Sequence, residues 1–216
     1  MRKVQRHAMR RKTAAVCRAT DEVLCVSIPK IIHYCWFGGG PISEADRKCM
    51  ESWKKYCPDY KIIEWNEQNF EISANRYAQQ AYEAKKYAFV SDYARLAVVY
   101  EYGGIYLDTD VELVRPLDEL LELPGFMGVQ NNNEVATGLG FGACKGNPVV
   151  QALLRDYDAL DFIKADGSVD LTPCPERNTK VLQTLGVRVD GRASRKWRSF
   201  RQSISARWSL PPGSSG

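Results

Sequence analysis

Residues 103–110 have the sequence Gly-Gly-Ile-Tyr-Leu-Asp-Thr-Asp, in which a glycine pair precedes a short apolar run and two acidic residues. The glycines follow a long segment with helical periodicity, which is typical of a helix that ends and turns into a strand. Side chains alternate along a strand, so Tyr106, Asp108 and Asp110 share one face. The stretch predicts a helix-to-strand junction that ends in two neighbouring carboxylates.

The segments on both sides of this junction alternate between predicted strands and predicted helices. Strands and extended pieces are expected over residues 28–37, 60–65, 105–108, 126–130 and 137–144. Helices are expected over residues 43–56, 75–102, 116–123, 148–160 and 175–185. The first of these helices begins with Ser43 and Asp46, which form a capping-box-like pair. The alternation predicts a single α/β domain over residues 28–190.

The charge of the chain is unevenly distributed. The formal net charge is +4, yet residues 28–190 contain 17 basic and 24 acidic side chains. The excess of lysine and arginine belongs to residues 1–27 and 191–216, and the acidic body argues against nucleic-acid binding. We interpret residues 1–27 as a disordered basic extension. Residues 191–216 form an irregular basic tail, and we hypothesise that they derive from a shifted reading frame that truncates the domain.

The seven cysteines and the hydropathy pattern bear on the cellular compartment. The cysteines show no CxxC pair and no histidine at zinc-binding spacing, so we expect reduced, mostly buried thiols in a cytoplasmic protein. No stretch approaches the roughly 20 apolar residues of a membrane span. The sequence therefore predicts no transmembrane segment and leaves peripheral association with the inner face of a membrane open.

The acidic pair Asp108 and Asp110 is the strongest candidate for chemistry. Open α/β sheets bind ligands outside the carboxyl ends of their strands, which is where these two side chains are expected. Two carboxylates on one face suit a hard divalent cation that shares its other positions with water and phosphate oxygens. The alternative is that both side chains only solvate a loop, and the pair by itself does not distinguish the two interpretations.

Longer segments carry a resemblance to a known family. Residues 88–96 are Ala-Phe-Val-Ser-Asp-Tyr-Ala-Arg-Leu, residues 28–39 are Ile-Pro-Lys-Ile-Ile-His-Tyr-Cys-Trp-Phe-Gly-Gly, and residues 52–60 are Ser-Trp-Lys-Lys-Tyr-Cys-Pro-Asp-Tyr. Together with 100–110, they resemble the glycosyltransferase sugar-binding region that contains the DxD motif. That family includes capsular polysaccharide synthesis proteins and initiating α-1,6-mannosyltransferases, and large glucosylating toxins share its signature. The resemblance covers roughly residues 28–160.

The resemblance implies a GT-A-like domain with a mixed, mostly parallel sheet flanked by helices. It implies transfer of a hexose from a UDP- or GDP-sugar to a saccharide or glycolipid acceptor, with Mn²⁺ or Mg²⁺ and with retention of configuration. The implied metal ligands are Asp108 and Asp110, and the implied catalytic residues are Asp92, Arg95, Asp108 and Asp110. The implied donor-binding residues are Trp36, Ser91, Asp92, Arg95, Tyr106 and Asp108.

Elementary chemistry supports these assignments and offers simpler alternatives. Asp92 and Arg95 are three residues apart and share a helix face, where a surface ion pair would contribute only about 0.3 to 0.5 kcal/mol. Trp36 could stack on a base beside the glycine loop or could belong to the core. His33 is expected in the core. Residues 131–133 and 137–138 are expected to line the acceptor side.

Two other functions fit parts of the sequence. Haloacid-dehalogenase phosphatases also place DxD after an apolar strand and use the first aspartate as a nucleophile. Their motif favours Thr or Val two residues after the second aspartate, where this chain has Glu112. The second alternative is a sugar-nucleotide-binding relative with impaired catalysis. It is motivated by residues 191–216, which lack the Tyr-Pro and His/Trp-containing end that closes the donor site in the family.

Overall fold

The computed structural model describes residues 27–130 and 133–187 and the backbone of Arg198–Phe200. Its strands are β1 Ile31–Cys35, β2 Lys61–Trp65, β3 Gly104–Tyr106, β4 Gly125–Gly128, β5 Phe141–Ala143 and β6 Arg198–Phe200. They form one sheet in the order β2-β1-β3-β5-β4-β6. β5 is antiparallel to β3 and β4, whereas the remaining described pairs are parallel. The expected mixed, mostly parallel sheet is confirmed.

Six α-helices flank this sheet within the described residues. They are α1 Glu44–Tyr56, α2 Arg76–Glu83, α3 Tyr87–Tyr102, α4 Asp118–Leu121, α5 Pro148–Asp158 and α6 Cys174–Thr184. α1 begins at the predicted cap, where Ser43 Oγ accepts a hydrogen bond from the Asp46 amide at 3.0 Å. The interpretations of residues 1–26, and of 191–216 apart from the backbone of β6, lie outside the described residues.

Two predicted elements differ most from the structure in their extent, and the strand expected over 105–108 is β3, which already ends at Tyr106. The single helix expected over 75–102 is broken into α2 and α3, because Lys85 has a φ of 57° and the Lys86 amide bonds back to the Ala81 carbonyl at 2.8 Å. Lysine and alanine are good helix formers, so the sequence gives no sign of this break. The extended piece expected over 137–144 begins as the 3₁₀ turn Thr137–Leu139, and only Phe141–Ala143 pairs as a strand.

Hydrophobic cores lie on both faces of the sheet. The first core contains residues of α2, α3, α5 and α6, such as Tyr77 and Leu96, and the second contains residues of α1 and α4, such as Trp53. Neighbouring residues of β3 face opposite cores, since Ile105 packs in the second core and Tyr106 packs in the first. The strand that precedes the acidic pair is therefore covered on both sides, in a three-layer α/β arrangement.

α3 has buried residues on more than one side. One stripe of the helix, formed by Phe89, Tyr93, Leu96 and Tyr100, packs on the first core. Other sides of the helix are buried as well, and they include the polar residues Asp92 and Arg95. These two side chains are therefore held inside the protein rather than in a surface ion pair.

His33 fixes the junction between α3 and β3. Its ring is fully buried, with Nε2 donating to the Gly103 carbonyl at 2.8 Å and Nδ1 accepting from Trp65 Nε1 at 3.0 Å. One imidazole thus joins β1, β2 and the end of α3, and the expectation of a core histidine is confirmed. Burial lowers the pKa of His33 to about 4, so the ring is neutral at physiological pH.

The thiols differ in one respect from the expectation. Cys35, Cys49, Cys57 and Cys174 are free, as predicted, whereas Cys144 is disulfide-bonded. Pairing depends on the distance between cysteines in the fold, which spacing in the sequence does not reveal. Among the described residues, no helix is long and apolar enough to cross a membrane.

Candidate active site

A cavity of about 390 Å³ opens at the carboxyl end of β3. Its walls come from α1, from α3, from the loop after β3, from the turn Thr137–Leu139 and from the first residues of α6. The charged side chains that line it are Asp46, Asp92, Arg95, Asp108 and Asp110. The volume falls in the range of about 300 to 1,000 Å³ that is usual for ligand pockets. The site thus lies where the strand-end argument places it.

Arg95 lies between two of the carboxylates. One of its terminal nitrogens, Nη2, lies 3.2 Å from Asp92 Oδ1 and 3.3 Å from Asp108 Oδ1. Its Nε donates to the Ser91 carbonyl at 3.1 Å, and its guanidinium lies 4.9 Å from the centre of the Tyr106 ring. Burial alone would lower the pKa of Arg95, but the neighbouring carboxylates raise it above its ordinary value. The guanidinium therefore stays charged.

Asp108 is oriented by three groups around its backbone and carboxylate. Tyr106 donates its hydroxyl to Asp108 Oδ1 at 2.9 Å, and Arg95 pairs with the same oxygen. The Asp108 amide donates to the Gly138 carbonyl at 3.0 Å. A Cβ atom at position 138 would overlap Asp108 Oδ2 and would approach Arg95 Nη1 to 3.0 Å. The carboxylate therefore occupies space that only a glycine at 138 leaves open.

Asp92 is a buried carboxylate with an unusual pKa. The pKa of Asp92 is raised to about 6, chiefly by burial and in part by the charge of Asp108, against the opposing effects of Arg95 and Cys174. The side chain is still mostly ionised at neutral pH. A carboxylate held this way, with Arg95 beside it, is suited to accept hydrogen bonds from ligand hydroxyls.

Asp110 differs from the other two aspartates because it lies at the exposed edge of the cavity. No lysine, arginine or histidine of the described residues forms an ion pair with it. Burial and the charges of Asp108 and Asp46 raise its pKa above the ordinary value. The described residues contain no cluster of three or more potential metal ligands. Such a site fits a divalent cation that takes one or two carboxylates and completes its shell with water and phosphate oxygens.

The remaining predicted donor-binding residues lie outside the lining of this cavity. Trp36 is half-buried against the second core, and its Nε1 donates to the Gly40 carbonyl at 2.6 Å. Tyr106 is buried and reaches Asp108 only through its hydroxyl. The Ser91 hydroxyl bonds back to the Tyr87 carbonyl at 3.1 Å, and its own carbonyl holds Arg95. The structure thus brings the four predicted charged residues, Asp92, Arg95, Asp108 and Asp110, to one cavity, but not Trp36.

The structure also adds lining residues that the sequence interpretation did not include. Asp46 and Cys49 reach the cavity from the first turns of α1, and Cys174 and Pro175 reach it from the start of α6. Asp46 was recognised only as part of a helix cap, and no sequence signal linked α6 to Asp108. Thr137 and Gly138, which were expected on the acceptor side, do line the cavity. Residues 131 and 132 lie outside the described residues.

Comparison with known proteins finds similar sequences over part of this chain. Residues 43–126 match the family model described as the glycosyltransferase sugar-binding region containing DXD motif. Inositol phosphoceramide mannosyltransferase 3 of Schizosaccharomyces pombe is 30% identical over an alignment of 144 residues that covers 63% of this chain and 39% of that protein. Mannosyl phosphorylinositol ceramide synthase SUR1 of Saccharomyces cerevisiae is 34% identical over 146 residues, with 63% and 37% covered. This chain therefore spans less than two fifths of either relative.

The fold has a similar solved structure. The PaToxG glycosyltransferase superposes with a TM-score of 0.54 at 22% sequence identity, over 74% of this chain and 69% of that one. At this identity the likeness concerns the fold, and the expected GT-A-like architecture is confirmed. The DXD segment at the end of β3 lies inside the matched region, so residues 43–126 are similar to the glycosyltransferase sugar-binding region containing DXD motif.

Proposed function

We propose that this chain transfers a hexose from a UDP- or GDP-sugar to a saccharide or glycolipid acceptor, assisted by Mn²⁺ or Mg²⁺ and with retention of configuration. The observation that carries the proposal is the convergence of Asp92, Arg95, Asp108 and Asp110 on one cavity at the end of β3. Mannose is the first candidate for the sugar, because the names of both fungal relatives refer to mannosyl transfer or mannosyl products. The same names include a ceramide, which supports a glycolipid acceptor.

The charge balance of the cavity supports a role for a divalent cation. Four carboxylates line the cavity against one guanidinium, that of Arg95. A nucleoside diphosphate sugar is itself an anion, so its entry without a counterion would be opposed by this excess of negative charge. A cation held by Asp110, with Asp108 in its shell, removes that opposition. When bound, it supplies Lewis-acid stabilisation of the charge on the departing nucleoside diphosphate.

The protein's own side chains have distinct roles in this proposal. Asp92 accepts hydrogen bonds from hydroxyls of the donor sugar, and Arg95 orients Asp92 and Asp108 while its charge faces the diphosphate. Asp108 contacts the sugar or the ribose. Tyr106 and Ser91 act on these groups rather than on the donor, since their described bonds go to Asp108 and Arg95. Trp36 is the proposed stacking partner of the base, at the edge of the second core and outside the cavity lining, with its N–H bonded to Gly40.

The proposal is tested by incubating the protein with a panel of UDP- and GDP-sugars, including GDP-mannose, with and without Mn²⁺, and by measuring nucleotide release. We expect metal-dependent release from at least one donor, and loss of that release in Asp110→Asn. Failure of every donor to bind or turn over would contradict the proposal. Binding without turnover would instead identify a catalytically impaired relative, and phosphate release from a phosphomonoester that requires Asp108 would identify a phosphatase.

A further inference from the structure

A chain of buried polar side chains runs behind the cavity from α6 to Asp92. Asn178 Nδ2 lies 3.2 Å from Thr137 Oγ1 and 3.1 Å from Cys174 Sγ. Thr137 Oγ1 and Cys174 Sγ are 3.2 Å apart, and the Cys174 thiol lies close enough to the Asp92 carboxylate to lower the pKa of Asp92 as a hydrogen-bond donor. Asn178, Thr137 and Cys174 are all buried. They also lie outside the segment that matches the family model, which ends at residue 126.

The donors and acceptors in this chain are compatible with one run of hydrogen bonds from Asn178 to Asp92. The Asn178 amide nitrogen can only donate, so Thr137 Oγ1 and Cys174 Sγ both accept from it. Either Thr137 Oγ1 or Cys174 Sγ can be the donor in the contact between them. With Thr137 as that donor, the thiol keeps its single hydrogen for the Asp92 carboxylate, which accepts when ionised.

The same residues also hold the loop beneath Asp108. Thr137 precedes Gly138, whose carbonyl accepts the Asp108 amide hydrogen bond at 3.0 Å. Cys174, at the first residue of α6, lines the cavity itself. A displacement of Asn178 would therefore disturb both carboxylates that pair with Arg95. It would act on Asp92 through Cys174 and on Asp108 through Thr137.

We propose that Asn178 is a positioning residue for the donor site: through Thr137 and Cys174 it orients the carboxylate of Asp92 and the backbone that supports Asp108. The proposal rests on the proposed function, in which Asp92 and Asp108 bind the donor. Asn178 does not itself line the cavity, and it reaches the site through its hydrogen bonds to the lining residues Thr137 and Cys174. Loss of the chain weakens donor binding without removing a group that contacts the donor.

An unsatisfied atom argues that Asn178 is present for positioning rather than for stability. Its Oδ1 is buried without a hydrogen-bond partner among the described residues. Burying an unpaired acceptor is costly, and replacement by an apolar side chain of similar size removes that cost. Leucine also has the higher helix propensity. We therefore expect Asn178→Leu to fold with a Tm close to that of the wild type, whereas a purely structural role for the amide predicts a marked fall.

The kinetic experiment uses the full chain with Mn²⁺ and GDP-mannose, or the UDP-sugar that the donor panel identifies. For Asn178→Leu we expect the donor KM to rise about tenfold with a smaller change in kcat, as for loss of one hydrogen bond to a charged group. Cys174→Ala is expected to behave similarly, and Cys174→Ser to retain more donor affinity because serine keeps both the donor and the acceptor. The exposed neighbour substitution Lys180→Ala is the control.

A double variant tests whether Asn178 and Cys174 act in one hydrogen-bond chain or affect donor binding independently. If Asn178 acts through Cys174, the double variant Asn178→Leu/Cys174→Ala should raise the donor KM no further than the more affected single variant. Effects that multiply would overturn the proposal. A donor KM in Asn178→Leu equal to that of the wild type would overturn it as well.

A readout that needs no donor distinguishes failure of this inference from failure of the proposed function. The S–H stretching band of Cys174 can be isolated as the infrared difference between the wild type and Cys174→Ser. In Asn178→Leu we expect this band to move to higher wavenumber, because the hydrogen bond to Asp92 weakens when its neighbours in the chain are lost. An unchanged band refutes the chain even if no nucleotide sugar turns over. A shifted band without turnover contradicts only the proposed function.

Discussion

Asp108 and Gly138 share one small volume at the end of β3. The amide of Asp108 donates to the carbonyl of Gly138 at 3.0 Å, and the Asp108 carboxylate fills the space that a side chain at position 138 would need. The backbone of Gly138 does not require glycine, since its φ lies outside the left-handed region. The requirement is therefore steric and concerns the carboxylate.

Gly138→Ala should impair donor binding while leaving the fold intact. The new methyl group overlaps Asp108 Oδ2 and approaches Arg95 Nη1, so the carboxylate must rotate away from its bond to Tyr106. We expect at least a tenfold loss of kcat/KM, equivalent to about 1.4 kcal/mol of lost transition-state stabilisation. Steady-state kinetics with the active nucleotide sugar measures this.

A matched control is available in the first glycine loop. A Cβ at Gly40 meets nothing within 4 Å, and its φ is also outside the left-handed region. Gly40→Ala should retain wild-type kinetics, since the carbonyl that accepts from Trp36 is unchanged. Equal kinetics in Gly138→Ala and Gly40→Ala would contradict the steric argument.

Asp110→Asn should separate stability from function. The pKa of Asp110 is raised by burial and by Asp108, so its ionised form is less favourable in the folded protein than in the unfolded chain. Removing the charge should leave the metal-free Tm equal to or above that of the wild type, while metal-dependent turnover is lost. Thermal melts with and without Mn²⁺ measure both effects.

The melts also test metal binding directly. Mn²⁺ should raise the Tm of the wild type in a concentration-dependent manner, because a ligand that binds only the folded state stabilises it. The shift should be absent in Asp110→Asn. An equal Mn²⁺-induced shift in the variant would exclude Asp110 as a ligand.

Arg95→Ala should be strongly destabilising. It leaves Asp92 and Asp108 without the buried guanidinium that neutralises them, and breaking a buried pair in this way costs about 3 to 5 kcal/mol. Arg76 provides the comparison, because its pair with Asp161 at 2.6 Å is largely exposed. Arg76→Ala should cost about 1 kcal/mol or less. Urea unfolding gives both values, and similar losses in the two variants would show that the Arg95 pairs are solvated.

The local parts of this architecture are predictable from the sequence. Ser43 caps α1 because its hydroxyl reaches the amide three residues on, and such a bond depends only on neighbouring residues. The location of Asp108 and Asp110 just beyond a strand end is predictable from the apolar run that precedes them, whereas the alternation expected to place them on one face stops at Tyr106, where β3 gives way to a turn. The burial of His33 follows from its place in an apolar strand.

The parts that depend on distant contacts are not predictable in this way. Lys85 ends α2 in a left-handed conformation although its neighbours favour a helix, so tertiary packing decides the break. Cys174 and Asn178 lie more than 60 residues beyond Asp108, and no pattern in α6 indicates that its first turns reach the cavity. Trp36 stands at the expected strand end, yet only the fold shows that its indole N–H is bonded to Gly40.

The stability of the domain should depend on pH through His33. Burial lowers its folded pKa from 6.5 to about 4, so between these pH values the unfolded chain binds a proton that the folded protein does not. The contribution of the neutral ring is complete above pH 6.5 and is lost as the pH falls towards 4. The loss amounts to about 3 kcal/mol, since one pKa unit corresponds to about 1.4 kcal/mol.

Asp92 acts in the opposite direction, so the effect of His33 must be measured as a difference. The folded pKa of Asp92 is raised to about 6, and its protonation on acidification favours the folded state. The quantity to compare is the free energy of unfolding of the wild type minus that of His33→Gln. We expect this difference to be about 3 kcal/mol larger at pH 7 than at pH 4, because glutamine keeps a donor and an acceptor but does not titrate. Urea unfolding across this range gives the difference, and a difference independent of pH would show that the ring is protonated in the folded protein.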